Sequence, residues 1–182
     1  MLRPDDFDDI HTHGRRGPRI LTNLCWPEKP PESDAAGATY SAGIHPWDTA
    51  AESFSEADAM AWLENIARRP DVLAIGECGL DALRGAPLPD QERVFLDQCR
   101  VAARLGKPVI VHCVRAWDSL LRIRRQLPPD LQMIVHGFRG RPALARQLLD
   151  AGIDLSFGLK FNPESFAATP PDRRFRETDD IK

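Results

Sequence analysis

Much that organises other small proteins is missing from this chain. It has four cysteines in 182 residues, Cys25, Cys78, Cys99 and Cys113, and no Cys-x-x-Cys pair, which argues against a zinc knuckle or a redox motif. They read as reduced, mostly buried thiols. No apolar run approaches the roughly 20 residues needed to span a bilayer, and Met1-Leu2-Arg3-Pro4-Asp5-Asp6 lacks the apolar core of a secretory signal. No membrane association is expected, and the cytoplasm is the expected compartment. Solenoid-type repeats and low-complexity segments are absent. Positive charge is not in excess either: the net charge of −3 does not by itself suggest a nucleic-acid protein. What remains, 42% hydrophobic and 28% charged residues, is an ordinary globular composition. A chain of this length builds one buried core and is too short for two ordinary domains, so residues 1–182 are expected to form a single domain.

The charge is unevenly spread. Residues 91–146 hold 11 Arg or Lys against 4 Asp or Glu, leaving 13 against 23 elsewhere. Such a stretch suits a polyanionic substrate, or it is the solvated face of two or three helices.

Apolar segments alternate with helix-patterned ones, the signature of βα units and a parallel sheet. Eight candidate strands lie near 7–12, 19–24, 39–44, 72–76, 108–113, 132–136, 153–157 and 174–178. Helices are expected over 55–68, where Met60, Leu63 and Ala67 form an apolar stripe, and over 91–105, with Val94, Cys99, Ala102 and Leu105. Two more are expected over 116–127, ended by Pro128-Pro129, and over 142–151, which opens on Pro142 and stops before Gly152.

Eight parallel strands predict a (β/α)₈ barrel, yet such barrels usually take about 250 residues. The missing length can be located. Only the six residues His13 to Pro18 separate the first two strands, too few for a crossover helix. Three prolines interrupt 25–38, and three residues follow Asp179. The expectation is a reduced barrel lacking some outer helices. Its strands one, two and eight would then expose an apolar outer face, to be covered by a second subunit of a homo-oligomer or by additional chain.

All five histidines stand where an apolar run breaks off. In a strand, side chains at i and i+2 share a face, so His11 and His13 both point into the barrel and can bind one ion. His112 and His136 each terminate a later strand, and barrel active sites collect at the C-terminal strand ends. Glu77 ends the fourth strand, and a carboxylate there can bridge two cations about 3.5–4 Å apart, the spacing of two-metal hydrolysis. Asp179, after the eighth strand, would ligate one metal and accept a proton from the attacking water. Singly, each of these has a bland reading as a packing or hydrogen-bonding residue. Six ligand-type residues at the ends of five predicted parallel strands have no comparably economical structural reading.

The stretches Asp9-Ile-His-Thr-His13, Gly43-Ile-His-Pro46, Ile75-Gly-Glu-Cys-Gly-Leu-Asp81, Lys107-Pro-Val-Ile-Val-His112, His136-Gly-Phe-Arg-Gly140 and Glu177-Thr-Asp179 follow one another along the chain. In that order they resemble the TatD-like metal-dependent hydrolases (the TatD DNase family) of the amidohydrolase superfamily, deoxyribonuclease-type enzymes with a TIM-barrel fold. The resemblance implies that His11, His13 and Asp179 hold one metal, that Glu77 bridges, and that His112 with His136 holds the second. It implies also that His45 contacts the scissile phosphate rather than a metal; the other reading of His45 is a turn residue fixed by Pro46. The chain departs from the family's pattern in places. Gly137 and Arg139 replace the Cys and Ser of a usual His-Cys-Phe-Ser-Gly, which puts a positive side chain at the pocket mouth. Arg176 stands where an apolar residue generally precedes Glu-Thr-Asp. With family segments missing around the first two helices and after the signature Asp, the chain resembles a short subgroup whose nucleic-acid-binding surface is reduced.

Neighbouring residues carry further expectations. Asp9 and Glu177 share faces with ligands and are candidate partners for imidazole N–H groups. Asp81 would orient a loop or a ligand, or cap a turn, and Lys107 marks a strand start. Of Trp26, Trp47, Trp62 and Trp117, Trp47 on the active rim is the best candidate for stacking a base, whereas Trp62 lies in a predicted helix as core. The expected function is a divalent-metal-dependent hydrolase of phosphodiesters, deoxyribonuclease-like and acting from the 3′ end of single-stranded DNA or a related nucleic acid. Its cofactors would be two divalent ions (Mg²⁺, Mn²⁺ or Zn²⁺), its catalytic residues Asp179, Glu77 and His45, and its substrate contacts His45, Trp47 and Arg139. The competing expectations are an ester or amide hydrolase on the same centre, such as a D-aminoacyl-tRNA deacylase, and a non-catalytic metal-binding interaction module.

Overall fold

Each apolar run of the sequence becomes a strand, and every strand pairs in parallel with the next. The computed structural model describes residues 1–31 and 37–179, so the middle of the proline-interrupted stretch 25–38 lies outside the described residues. The strands are β1 (Asp9–Thr12), β2 (Ile20–Cys25), β3 (Thr39–Gly43), β4 (Val72–Asp81), β5 (Val109–Val114), β6 (Met133–Val135), β7 (Ile153–Phe157) and β8 (Arg174–Arg176). They form one eight-stranded sheet in the order β1 to β8. The last seam is closed by side chains and single backbone bonds. The Asp179 N–H donates to the His11 carbonyl at 3.1 Å, while Thr178 donates its N–H and hydroxyl to the two oxygens of Asp9, at 3.1 and 2.7 Å. The result is a nearly closed barrel of the (β/α)₈ type.

The helices outside it are α1 (Glu56–Ile66), α2 (Leu88–Leu105), α3 (Trp117–Arg124), α4 (Pro142–Asp150) and α5 (Pro163–Ala168). Their ends follow local chemistry. Ser55 caps α1 by accepting the Asp58 N–H, Gly106 ends α2 at φ +65°, and Pro142 opens α4. Helix α2 begins three residues before the expected 91, at Leu88. Helix α5 was not expected, although Asn162-Pro163 announces it: the Asn162 side chain accepts the N–H groups of Glu164 and Ser165 at 3.0 and 3.1 Å.

Two layers of apolar side chains hold the barrel. Outside, Tyr40, Leu63, Phe95, Leu120 and Leu148 pack the sheet against the helices, with Cys78 and Cys99 among them. Inside, Ile10, Leu21, Ala74, Ile110, Ile134 and Phe175 form a floor. A fully buried Ile or Phe contributes roughly 1.5–3 kcal/mol, so this floor is a substantial anchor for the polar layer above it. Regular alternation fails where that polar layer begins. Ile10 joins the floor immediately before His11 reaches the layer above, and the β1–β2 pairing shifts register between Asp9 and Thr12. β4 likewise shifts against β5 between Ile75 and Cys78, and continues to Asp81 instead of ending at 76. Gly76 makes this possible: at φ +130°, a Cβ there would lie 2.3 Å from the Ile110 carbonyl oxygen.

The structure corrects the expectation of a bare outer face. All four residues of β1 are buried, and so are the four central residues of β2. Thr22 of β2 donates to the Arg15 carbonyl at 2.7 Å, so the short 13–19 connection itself acts as cover. On β8, Arg174 lies over the Phe166 ring of α5 at 4.2 Å. The argument for an oligomer from exposed apolar sheet therefore falls away for the described residues. The basic stretch 91–146 also finds its place on helix surfaces. Arg100 pairs with Asp97 and Arg122 with Glu92, both at 2.7 Å, while Arg93 pairs with Glu56 and Arg104 with Glu64. Arg124 is buried and donates to the Pro128 and Pro129 carbonyls.

Candidate metal centre

Five imidazoles converge on one carboxylate. Glu77 lies above the apolar floor, 4% exposed. Its Oε1 is 2.7 Å from His112 Nδ1, 2.7 Å from His136 Nε2 and 3.2 Å from His45 Nε2. Its Oε2 is 3.3 Å from His11 Nε2 and 3.5 Å from His13 Nε2. Asp179, three residues beyond β8, reaches His11 Nε2 at 3.7 Å. The two oxygens of Glu77 thus sort the surrounding side chains into a His11–His13–Asp179 side and a His45–His112–His136 side.

The donor set fits divalent cations. His11, His13 and Asp179 offer ligand atoms within 4.8 Å of one another, as do His11, Glu77 and His136, and His45, Glu77 and His112. Among the described residues neither ring nitrogen of His11 has a hydrogen-bond partner, although both are buried, and an orphaned polar nitrogen in a buried site calls for a partner such as a cation. Carboxylates stand behind two of the imidazoles. His112 turns Nε2 toward Asp81 Oδ2 at 3.5 Å, and His136 turns Nδ1 toward Glu177 Oε1 at 3.5 Å. Neither contact is short enough to count as a hydrogen bond; each places a carboxylate on the side of the ring away from Glu77, where it would accept an outward N–H once the opposite nitrogen held a cation.

His45 is different in kind. Its Nδ1 accepts the Trp47 backbone N–H at 3.2 Å, so in the neutral ring the proton sits on Nε2. Pointed at the centre, that nitrogen is a donor and not a lone pair. Distance groups His45 with the ligands; its hydrogen bonding sets it apart.

The electrostatics follow from this crowding. Burial by itself would push the Glu77 carboxyl up, but the His136 and His11 imidazoles hold it well below the usual carboxylate range. Burial would lower His136, yet the Glu77 and Glu177 carboxylates raise it well above the usual imidazole range. The Glu77 carboxylate also raises His13. The Glu77 carboxylate thus favours the protonated form of His136 and His13.

Several supporting residues were not found from sequence. Asn23 on β2 accepts the Glu77 N–H at 2.5 Å and the Ser41 hydroxyl at 3.1 Å. Two buried glutamines of α2 grip the loops: Gln98 bonds both backbone groups of Ile44, beside His45, and Gln91 bonds both backbone groups of Asp81. Their seven-residue spacing on an amphipathic helix was the available signal, a polar pair on the buried face. Glu177 lies beside His136 as expected, 3.5 Å from its Nδ1, and accepts the Gly137 N–H at 2.7 Å. Asp9 does not meet an imidazole nitrogen. It binds Arg15 at 2.8 Å and Thr178, and so locks the barrel seam. Asp81 both orients a loop, through the Leu83 N–H, and faces His112.

At the mouth, His112, His136, Arg139 and Asp179 line a cleft of about 240 Å³. A larger cleft of about 530 Å³ between α3 and α4 contains no grouping of this kind. Trp47 stands on the rim, 44% exposed, its indole N–H donated to Asp81 at 2.6 Å and the Arg84 guanidinium 4.5 Å from its ring. Trp26, Trp62 and Trp117 are half-buried and pack elsewhere.

The chain is similar to known proteins. The family described as TatD related DNase matches residues 32–181. A Klebsiella pneumoniae (strain 342) protein named as a 3′-5′ ssDNA/RNA exonuclease is 35% identical over 161 residues, covering 81% of this chain and 59% of its own length. A human protein named as a 3′-5′ RNA nuclease is 35% identical over 144 residues, 78% of this chain and 18% of that one. The crystal structure of a TatD homologue from Escherichia coli k12 matches with a TM-score of 0.73 at 23% identity, over 88% of this chain and 66% of that one, a likeness of fold. The chain therefore spans only 59% of the Klebsiella relative.

Proposed function

This chain belongs to the TatD related DNase family, and on that premise we propose that it is a divalent-metal-dependent phosphodiesterase removing nucleotides from the 3′ end of single-stranded DNA or RNA. The observation that carries this reading is the division of ligand-type side chains between the two oxygens of Glu77. His11, His13 and Asp179 would hold one cation and His112 with His136 a second, with Glu77 between them. Mg²⁺, Mn²⁺ and Zn²⁺ all suit a mixed imidazole and carboxylate set. Such cations supply Lewis-acid polarisation of a phosphoryl oxygen and a more acidic water.

The chain's own groups do the rest. The Asp179 side chain is 26% exposed, open enough to take the proton of an attacking water. His45 presents its Nε2–H to the site and donates to a non-bridging oxygen of the scissile phosphate. The exposed Arg139 at the mouth adds positive charge where the substrate is anionic. Trp47 offers an aromatic face to a base beside the reacting bond. Asn23 and Gln98 keep Glu77 and His45 in place while this occurs.

The test is release of mononucleotides from a 3′-labelled single-stranded oligonucleotide by metal-reconstituted protein. The reading expects metal-dependent release in the wild type and none in Glu77→Ala. No release with any of the three metals, or equal release by the variant, would overturn it. Free amino acid from charged tRNA instead would move the assignment to an ester hydrolase.

A further inference from the structure

Among the described residues, the exposed large hydrophobics other than Met1 all stand on loops at the C-terminal ends of strands. They are Trp47 (44%), after β3, Leu83 (61%), after β4, and Leu159 (88%) and Phe161 (40%), after β7. β3 and β7 are four strands apart in an eight-stranded barrel, so their loops face each other across the mouth, with the imidazole cluster between.

Phe161 is held in position. Its ring lies against Phe166 at 4.9 Å with a 37° tilt, and edge-on to Phe157 at 6.0 Å. Phe166 in turn is fixed by the Arg174 and Arg176 guanidiniums, 4.2 and 5.5 Å from its centroid. Arg176, out of place by the family pattern, thus has a structural use here. The surroundings are cationic: the loops 137–141 and 158–162 carry Arg139, Arg141 and Lys160 and no acidic residue. Arg139 and Lys160 are exposed.

We propose that this lip is a second stacking site for the single strand, with Phe161 as the platform for a nucleobase and Lys160 and Arg139 meeting the phosphates on either side. It rests on the phosphodiesterase reading above. A preset aromatic face flanked by cations matches a polymer in which flat bases alternate with anionic phosphates. An apolar peptide would leave those cations uncompensated. Together with Trp47 on the opposite lip, Phe161 gives the strand an aromatic contact on each side of the cluster.

The test compares metal-loaded wild type, Phe161→Ala and Phe161→Trp on two substrates. Phe161→Ala lowers kcat/KM for an oligothymidylate about tenfold, the loss of one base stack. It leaves hydrolysis of methyl p-nitrophenyl phosphate, a phosphodiester without a base, unchanged, and Phe161→Trp retains oligonucleotide activity. An equal loss on both substrates, or no loss on the oligonucleotide, overturns the proposal. Fluorescence anisotropy with a phosphorothioate oligonucleotide that resists cleavage reads the lip without turnover. If the wild type cleaves nothing while Phe161→Ala still binds about tenfold more weakly, the phosphodiesterase reading fails and the lip stands. Equal binding by the two sinks the lip. A wild-type dimer that Phe161→Ala converts to a monomer in sedimentation also overturns it, in favour of a self-association face.

Discussion

Replacing Gln98 by Met should destabilise the chain by about 3 kcal/mol. Gln98 is 1% exposed on the inner face of α2, and its amide both accepts the Ile44 N–H at 2.8 Å and donates to the Ile44 carbonyl at 3.1 Å. Ile44 is itself 1% exposed, so neither backbone group can turn to water. Met keeps the length of the side chain and removes both bonds. Each buried backbone group left unpaired costs about 1–3 kcal/mol, against a small gain from burying the thioether. In a chain of this size the melting temperature should fall by roughly 6–12 °C. Urea denaturation at one fixed metal concentration measures the change, and the slope with denaturant should not alter. Gln126→Met, at an exposed position beyond α3, is the control and should stay within about 0.5 kcal/mol of wild type. Gln98→Glu should lie closer to wild type at pH 5 than at pH 8, because a protonated carboxyl can still donate to the Ile44 carbonyl. A loss below about 1 kcal/mol for Gln98→Met would refute the idea that this clamp holds the loop before His45.

Three further outcomes are expected. Burial pushes the Cys25 and Cys113 thiols up to about 12, leaving roughly 10⁻⁵ as thiolate at neutral pH; iodoacetamide should label the native chain very slowly and the urea-unfolded chain fast, and rapid native labelling would contradict this. His136 outweighs its burial through Glu77 and Glu177 and keeps its proton above the usual imidazole range, so a cation must displace protons on binding. Zn²⁺ affinity should therefore fall as pH falls from 8 to 6, with proton release seen by calorimetry in two buffers of different ionisation enthalpy; an affinity independent of pH would count against the ligand set. Asn162→Ala removes the cap that accepts two N–H groups of α5 and should cost about 1 kcal/mol, with faster amide exchange confined to that helix; unchanged exchange there would contradict the capping argument.

The barrel was readable because a parallel strand buried on both faces shows as an apolar run, and eight such runs punctuated by helical stripes admit few folds. The convergence of His11, His13, Glu77, His112, His136 and Asp179 was readable for a related reason: each follows an apolar run in the sequence, and the barrel gathers the C-terminal parts of its strands at one mouth, although Glu77 and His112 lie within β4 and β5 rather than at their ends. What stayed hidden depends on bonds that periodicity does not register. Asn23 and Gln98 look like polar residues on apolar elements until the backbone groups they satisfy are known. The role of Asp9 was misjudged because its face was right while its partner, Thr178, comes from 169 residues away. The outer cover was misjudged because a short loop and a six-residue helix protect strands that full-length crossover helices would otherwise shield.

Metal stoichiometry tests the central claim most directly. Wild-type protein, loaded with Mn²⁺ or Zn²⁺ and freed of excess by gel filtration, should carry two ions per chain by mass spectrometry of the metal. Glu77→Ala, which removes the carboxylate shared by both groups of ligands, should carry one at most, and bind it more weakly by titration calorimetry. Two ions held with undiminished affinity by Glu77→Ala would contradict the account.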